Sequence, residues 1–381
     1  MPHRLHVAVI GAGAFGGWTA LELIRRGARV TLIDAWGPGN VRSSSGGETR
    51  VLRAAYGSRA IYTKLASRAL ERWPSEFFRP TGVLWMFGQD DAFGRTSADA
   101  LRSHGLRMEE ISVADAARRY PQIAFSGIST VLFERDAGYL LARRACEHVV
   151  AAFVAGGGEW RQASAESPQR VDGPLGAVRL AGGSTIAADR FVFACGPWLA
   201  SLFPDALGPL VRVTRQEVFY FGTPAGDARF TDAQLPVWIE IGSTQLYGIP
   251  GNAHRGFKIA DDAEGPPMDP TSGERHLTGA GVAAARDALA RRFPALAGAP
   301  LVGGEVCQYE STPDSHYIID RHPAAPNVWL AGGGSGHGFK MGPAIGELLA
   351  SAVLDDRAPD PAFALSRFAT PPVGGWTEKW S

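Results

Sequence analysis

Three cysteines in 381 residues are too few for a disulfide-stapled scaffold. They form no Cys-x-x-Cys pair, and no His or Cys spacing matches a metal site. Neither sign of charge is in excess, since 38 Lys and Arg balance 38 Asp and Glu. That balance argues against nucleic acid as a bulk partner and leaves room for a local basic patch. No G-x-S-x-G elbow occurs, so hydrolase chemistry has no support. The apolar run from Val7 to Ile24, after Arg4, loosely has the form of a signal peptide. Glu22 and the glycines at positions 11, 13, 16 and 17 interrupt it, unlike a secretory core segment. No other stretch approaches 18 uninterrupted apolar residues, so no membrane span is predicted. The expectation is a soluble, cytoplasmic protein.

Glycine, in contrast, is abundant. The 47 glycines show no G-x-y period, which excludes collagen and points to tight turns and close backbone approaches. At roughly 100–200 residues per domain, the length predicts about two domains. Residues 5–10 read as a buried strand, 15–26 as a helix ended by Gly27, and 28–33 as a second strand closed by Asp34. Helical patterns recur at 60–78, 139–154 and 278–292. Strand-like runs lie at 82–87, 129–134, 211–222, 236–241 and 245–249. A strand at 327–331, a Gly-rich loop and a helix at about 343–354 close the pattern, with loops expected near 204–210 and 265–273. The nucleotide-type pattern thus occupies both ends of the chain, around a β-rich and mainly antiparallel middle.

The strand–turn–helix carries Gly11-Ala-Gly13-Ala-Phe-Gly16. The first glycine permits the turn, the second lets backbone approach a pyrophosphate, and the third lets helix and strand pack closely. The helix start offers free N–H groups and a positive dipole end to phosphates. Asp34 stands 18 residues after Gly16, where an acid should meet a ribose. It favours NAD or FAD over NADP, and the fingerprint does not separate those two.

A second segment, Arg42-Ser-Ser-Ser-Gly-Gly-Glu-Thr-Arg50-Val-Leu-Arg53, spaces two arginines three apart. On a helix they would share a face and call for an anion, or simply form a solvated basic face. Near the other end, Ala331-Gly-Gly-Gly-Ser-Gly-His337-Gly-Phe-Lys340 bridges a strand and a helix. Lys340 at a helix start is misplaced for stability, which points either to function or to a surface lysine on a loop. Cys146 falls mid-helix and Cys195 in a buried-strand pattern, both readable as packing residues. Cys307 in Cys307-Gln-Tyr309 lies in a β-like stretch and by composition is also readable as a core thiol.

Taken in order, these segments resemble the monomeric sarcosine oxidase / N-methyltryptophan oxidase family of flavoproteins. The markers span nearly the whole chain: the Gly11–Gly16 fingerprint with Asp34, Gly47-Glu-Thr-Arg50-Val-Leu-Arg53, Tyr247-Gly-Ile-Pro, Gly256-Phe-Lys258, Cys307-Gln-Tyr309, Ile318-Ile-Asp-Arg-His-Pro323 and Gly336-His-Gly-Phe-Lys340. The resemblance implies an α/β (α+β) fold with a Rossmann-like FAD-binding domain built from discontinuous segments. That domain is expected at 1–84, 141–210 and 306–381, with a substrate domain at 85–140 and 211–305. It implies FAD carried on Cys307 through a thioether at the flavin 8α carbon. Gly11, Gly13, Gly16, Asp34, Ser44, Ser45, Thr49, Gly336, His337 and Gly338 would contact the cofactor.

By the same resemblance Lys258 would stand beside the flavin and promote its reaction with O2, with Arg50 at the flavin edge. Arg53 and Lys340 would hold a substrate carboxylate, and Tyr247 and Tyr309 would line the pocket, Tyr309 among the catalytic residues. The implied reaction is hydride transfer from a secondary amine or imino acid to the flavin, release of an imine, and reoxidation by O2 to H2O2. A monomer without metal, nucleic-acid or membrane partners is expected.

Two departures bear on the substrate. Ser45 and Gly46 stand where the sarcosine oxidases have adjacent histidines, and Asp262 stands where they have a histidine four residues after the lysine. Sarcosine itself is therefore doubtful, and a bulkier substrate has room. Trp85, Trp238 and Phe219 are either walls of such a pocket or core residues. Other readings are an oxidase of glycated (Amadori) amino acids, a biosynthetic flavin dehydrogenase, an NAD-dependent dehydrogenase, and a redox-sensing flavin module.

Overall fold

The computed structural model describes residues 4–89, 91–168, 172–358 and 360–369. The expected outer limits at 1 and 381 fall outside them. A six-stranded sheet runs in the order Ile318–His322, Ala325–Gly332, Arg190–Phe193, His6–Ile10, Arg29–Asp34, Glu159–Gln162. Its pairs are parallel except Ile318–His322 with Ala325–Gly332, which is antiparallel. The two ends of the sequence therefore share one sheet.

Helix Ala14–Arg25 covers that sheet and is buried along most of its length. Gly27, at φ +91, ends it: its N–H donates to Ile24 O at 2.9 Å and the Ala28 N–H to Leu23 O at 3.1 Å. Helices Ala142–Ala155 and Gly342–Asp355 pack beside it, and their apolar residues join the largest core cluster.

An eight-stranded sheet runs in the order Leu301–Ser311, Arg212–Phe221, Phe257–Asp261, Gln245–Ile249, Val237–Ile241, Val83–Phe87, Thr130–Glu134, Met108–Ile111. It is antiparallel except where Val237–Ile241 pairs with Val83–Phe87, two strands joined by a long crossover. The boundaries expected after 84 and 305 fall inside the strands Val83–Phe87 and Leu301–Ser311, because each strand continues across into this sheet. Trp85 and Trp238 are wholly buried in the cores and Phe219 nearly so, which is the packing reading of these aromatics.

Other differences from the expected elements have local causes. The helix from 60 stops at Arg72, because Trp73 precedes Pro74 and takes an extended conformation. The helix expected from 139 starts at Ala142; Gly138–Leu141 is instead a strand, paired with Thr49–Leu52 and Phe78–Arg79. Residues 204–210 are helical turns, Pro204–Leu207 and Gly208–Leu210, each begun by a proline within its first two positions. Among the described residues no helix is long and apolar enough to cross a membrane.

Candidate active site

A long cavity runs between the two large sheets, from Asp34 and the fingerprint loop to Lys340. At its nucleotide end, Gly11 has φ +105, and a Cβ on it would stand 2.2 Å from the Ala194 carbonyl oxygen. A Cβ on Gly16 would stand 1.9 Å from the Gly11 carbonyl oxygen, so only glycine lets the helix lie this close to the turn. Gly13 caps the helix and lines the cavity. Ser45 Oγ accepts from the Ala14 N–H at 3.1 Å, which ties the serine loop to the helix start.

Asp34 differs in detail from the simple ribose reading. Its Oδ2 accepts from Ala12 N–H at 2.8 Å, and its Oδ1 from Trp36 and Gly37 N–H at 2.9 and 2.8 Å. The carboxylate thus braces the loop and still lines the cavity.

Arg50 and Arg53 do not share a helix face. Thr49–Leu52 is a strand paired with Gly138–Leu141 and carries Arg50, while Arg53 follows its end on irregular backbone. Arg50 turns toward Cys307. Its Nη2 donates to Cys307 Sγ at 3.4 Å and to the Ser44 carbonyl at 2.6 Å, and its Nη1 donates to the Thr49 carbonyl at 2.9 Å. Ser44 Oγ donates to the Gln308 carbonyl at 3.0 Å, closing the serine loop over the strand that carries Cys307.

Arg53 turns the other way and is buried. Its guanidinium carbon lies 4.3 Å from the Tyr56 ring centre and 5.4 Å from that of Trp85, and Nη1 donates to the Ala55 carbonyl. Lys340, also buried, brings Nζ to 3.1 Å from Tyr56 Oη and 3.0 Å from the His337 carbonyl. It sits in the short turn Phe339–Met341 that precedes helix Gly342–Asp355, rather than in the helix itself. Two cations from opposite ends of the chain thus meet at one tyrosine ring, and both line the cavity.

Tyr247 and Tyr309 also line it. Tyr309 Oη donates to Asp262 Oδ1 at 2.7 Å; burial and then that carboxylate push the phenol well above its ordinary value. Lys258 stands one layer behind the lining residues. Its Nζ donates to the Thr49 carbonyl at 3.0 Å and lies 5.6 Å from the Tyr247 ring centre. Burial and the Arg50 guanidinium lower the ammonium to about 7. Thr49 likewise contributes through its backbone behind the wall. Gly336, His337 and Gly338 line the wall itself. His337 is held by the Tyr317 hydroxyl at 2.9 Å and the Ser315 carbonyl at 3.0 Å.

Cys195, read from sequence as a packing residue, reaches the cavity, because the strand Arg190–Phe193 ends just before it. Cys146 is buried in its helix.

Two residues of the site escape sequence reasoning. Tyr56 joins the cations through space, and nothing in its neighbourhood of sequence marks it. Glu134 is 2 % exposed and accepts from the N–H groups of Ala54 at 2.5 Å and Ala55 at 3.2 Å and from Trp85 Nε1 at 3.0 Å. It fixes the irregular backbone that aims Arg53. A carboxylate closing the apolar strand Thr130–Glu134 was the available signal.

Residues 6–352 match the family described as FAD dependent oxidoreductase. The chain is 29% identical to a monomeric sarcosine oxidase of Bacillus sp. (strain B-0618), over 93% of each chain. It is 32% identical to the monomeric sarcosine oxidase of Streptomyces avermitilis, over 91% of this chain and 93% of that one. The solved L-proline dehydrogenase of P. horikoshii shares the fold, with a TM-score of 0.81 at 20% identity over 97% of this chain and 99% of that one. With the glycine fingerprint and the cavity it opens on, these matches establish that the chain belongs to the FAD-dependent oxidoreductase family, as a relative of the monomeric sarcosine oxidases over nearly its whole length.

Proposed function

We propose that this protein is an FAD-dependent oxidase of a secondary amine or imino acid, an N-alkylated or cyclic amino acid, with the flavin tethered to Cys307. The observation that carries the reading is the convergence of Arg53 and Lys340 on Tyr56 inside the cavity. A guanidinium and an ammonium lining one end of a cavity present hydrogen-bond donors and positive charge that suit a carboxylate, and an amino-acid substrate brings one. The cavity fits FAD in its own terms: glycine backbone at the helix start for the diphosphate, and a guanidinium-held sulfur further along for the tether.

FAD, when bound, supplies the electron acceptor for the C–N oxidation. The chain's residues do the rest. Arg53 and Lys340 anchor the carboxylate and so orient the carbon that loses hydride. The Tyr309–Asp262 hydrogen bond fixes one wall of the pocket. Lys258 provides positive charge behind the wall, where it favours negative charge developing on O2.

The test is H2O2 release from a panel of N-methyl, cyclic and glycated amino acids and their methyl esters. Release from free acids, with esters poor, is expected; equal rates for acids and esters, or no release from any, would refute the reading. Acid-precipitated protein is expected to stay yellow. A colourless pellet under a yellow supernatant removes the Cys307 tether.

A further inference from the structure

The strand Leu301–Ser311 carries two acids: Glu305 pairs with Arg143 at 3.3 Å, and Glu310 has no ion pair among the described residues and no role in the reading above. Glu310 is 9 % exposed, lines the cavity, and by strand alternation points to the opposite face from Cys307 and Tyr309. Its Oε1 accepts a long hydrogen bond, 3.4 Å, from the Gly334 N–H. Its Oε2 is buried without a hydrogen-bond partner. Glycines form a cup around the carboxyl: Cβ atoms on Gly196 and Gly332 would lie 3.6 and 3.7 Å from Oε2, and one on Gly334 would lie 3.3 Å from Oε1. The cup adjoins the fingerprint, because a Cβ on Gly11 would meet Ala194 O at 2.2 Å and Cys195 Cα at 3.3 Å, immediately before Gly196.

A carboxylate this poor in donors is costly to bury, and it escapes the cost by holding a proton. Burial pushes the Glu310 carboxyl up to about 8. No countercharge offsets this among the described groups packed around it. Val213 stands opposite on the neighbouring strand, and Gly332–Gly334 offer backbone. His337 turns its ring to Tyr317 and Ser315. The Cys195 thiol is itself pushed up, by burial first and then by Asp34 and Glu310. A protonated carboxyl is a donor, and here the donor's acceptor lies outside the protein.

We propose that Glu310 binds FAD as a neutral carboxylic acid, its Oε2–H donating to an oxygen of the ribityl–diphosphate chain. The proposal rests on the family's use of FAD and adds a cofactor-binding residue that works only while protonated. Ionised, the same side chain repels the diphosphate, so cofactor affinity and the protonation of Glu310 are linked.

Cys307→Ala protein, freed of flavin, is titrated with FAD from about pH 6 to about pH 10 by flavin fluorescence, alone and with Glu310→Gln or Glu310→Leu added. In the parent, affinity is expected to stay level below about pH 8 and to fall about tenfold per pH unit above it. Glu310→Gln donates without ionising and is expected to bind without that fall. Glu310→Leu is expected to bind about tenfold more weakly than the parent at low pH, also without the fall. Identical pH profiles for parent and Glu310→Gln would overturn the proposal, whether or not the leucine variant folds. Failure of the parent to bind FAD at every pH would overturn the flavin reading itself, and the proposal with it.

Discussion

Replacing Lys258 by methionine is expected to stabilise the protein at neutral pH while slowing its reoxidation by O2. The lysine is 1 % exposed, and burial followed by the Arg50 guanidinium lowers its ammonium from 10.5 to about 7. The unfolded chain keeps the ordinary value, so the fold prefers a neutral amine. Below about pH 7 the side chain is charged in both states, and the penalty is full, on the order of 5 kcal/mol. Between about pH 7 and the ordinary lysine value, folding releases a proton and the penalty shrinks by about 1.4 kcal/mol per pH unit. Above that range it is gone. Methionine removes the penalty and forfeits the hydrogen bond to the Thr49 carbonyl, worth about 1 kcal/mol.

The net gain is therefore about 4 kcal/mol near pH 7, fading to a slight loss near pH 10. Urea unfolding of the two oxidised proteins at about pH 6.5, 8.5 and 10 measures it. A gain independent of pH, or none at neutral pH, would refute the reasoning that a buried charge is held here at the expense of stability. In the oxidative half-reaction, loss of this positive charge is expected to slow the step, most strongly below about pH 7 where the ammonium is intact. Flavin reduction is expected to change little, and equal effects on both half-reactions would sink the O2 role.

Arg53→Met and Lys340→Met are each expected to raise KM for a free amino acid about 10–100-fold, with smaller effects on its methyl ester; steady-state H2O2 assays separate the two. Glu134→Ala leaves three buried donors, on Ala54, Ala55 and Trp85, without their acceptor. A loss of about 3–5 kcal/mol in urea unfolding is expected, and a loss below about 1 kcal/mol would show that the loop relaxes without it. Gly16→Ala places a Cβ 1.9 Å from the Gly11 carbonyl oxygen, and the purified protein is expected to carry little flavin by visible absorbance.

The site was legible in sequence where the chemistry is local. The fingerprint reads directly, because turn, helix start and acid lie within one strand–helix–strand unit and each glycine answers a local steric demand. Cys307 and Tyr309 stood out only through the family resemblance; the strand Leu301–Ser311 then places them on one face. Whether Arg50 and Arg53 share a face was open in the sequence, because Val51 and Leu52 suit a helix or a strand. Pairing with Gly138–Leu141, nearly ninety residues away, selects the strand and sends the two guanidinium groups to different partners. Positions 84 and 305 lie inside strands for a related reason: a strand's sheet is chosen by its partners, which lie elsewhere in the chain.

By itself, then, the sequence determined the nucleotide-type turn, the family resemblance and the set of cations that an anionic substrate would need. The tertiary structure alone decided their arrangement. It brings Arg53 and Lys340, 287 residues apart, onto the Tyr56 ring, and it sets Lys258 behind the cavity wall. It also leaves Glu310 buried among glycines with one oxygen unpartnered. Burial and electrostatic coupling depend on distances through space, and a one-dimensional pattern carries those only where the partners are neighbours along the chain.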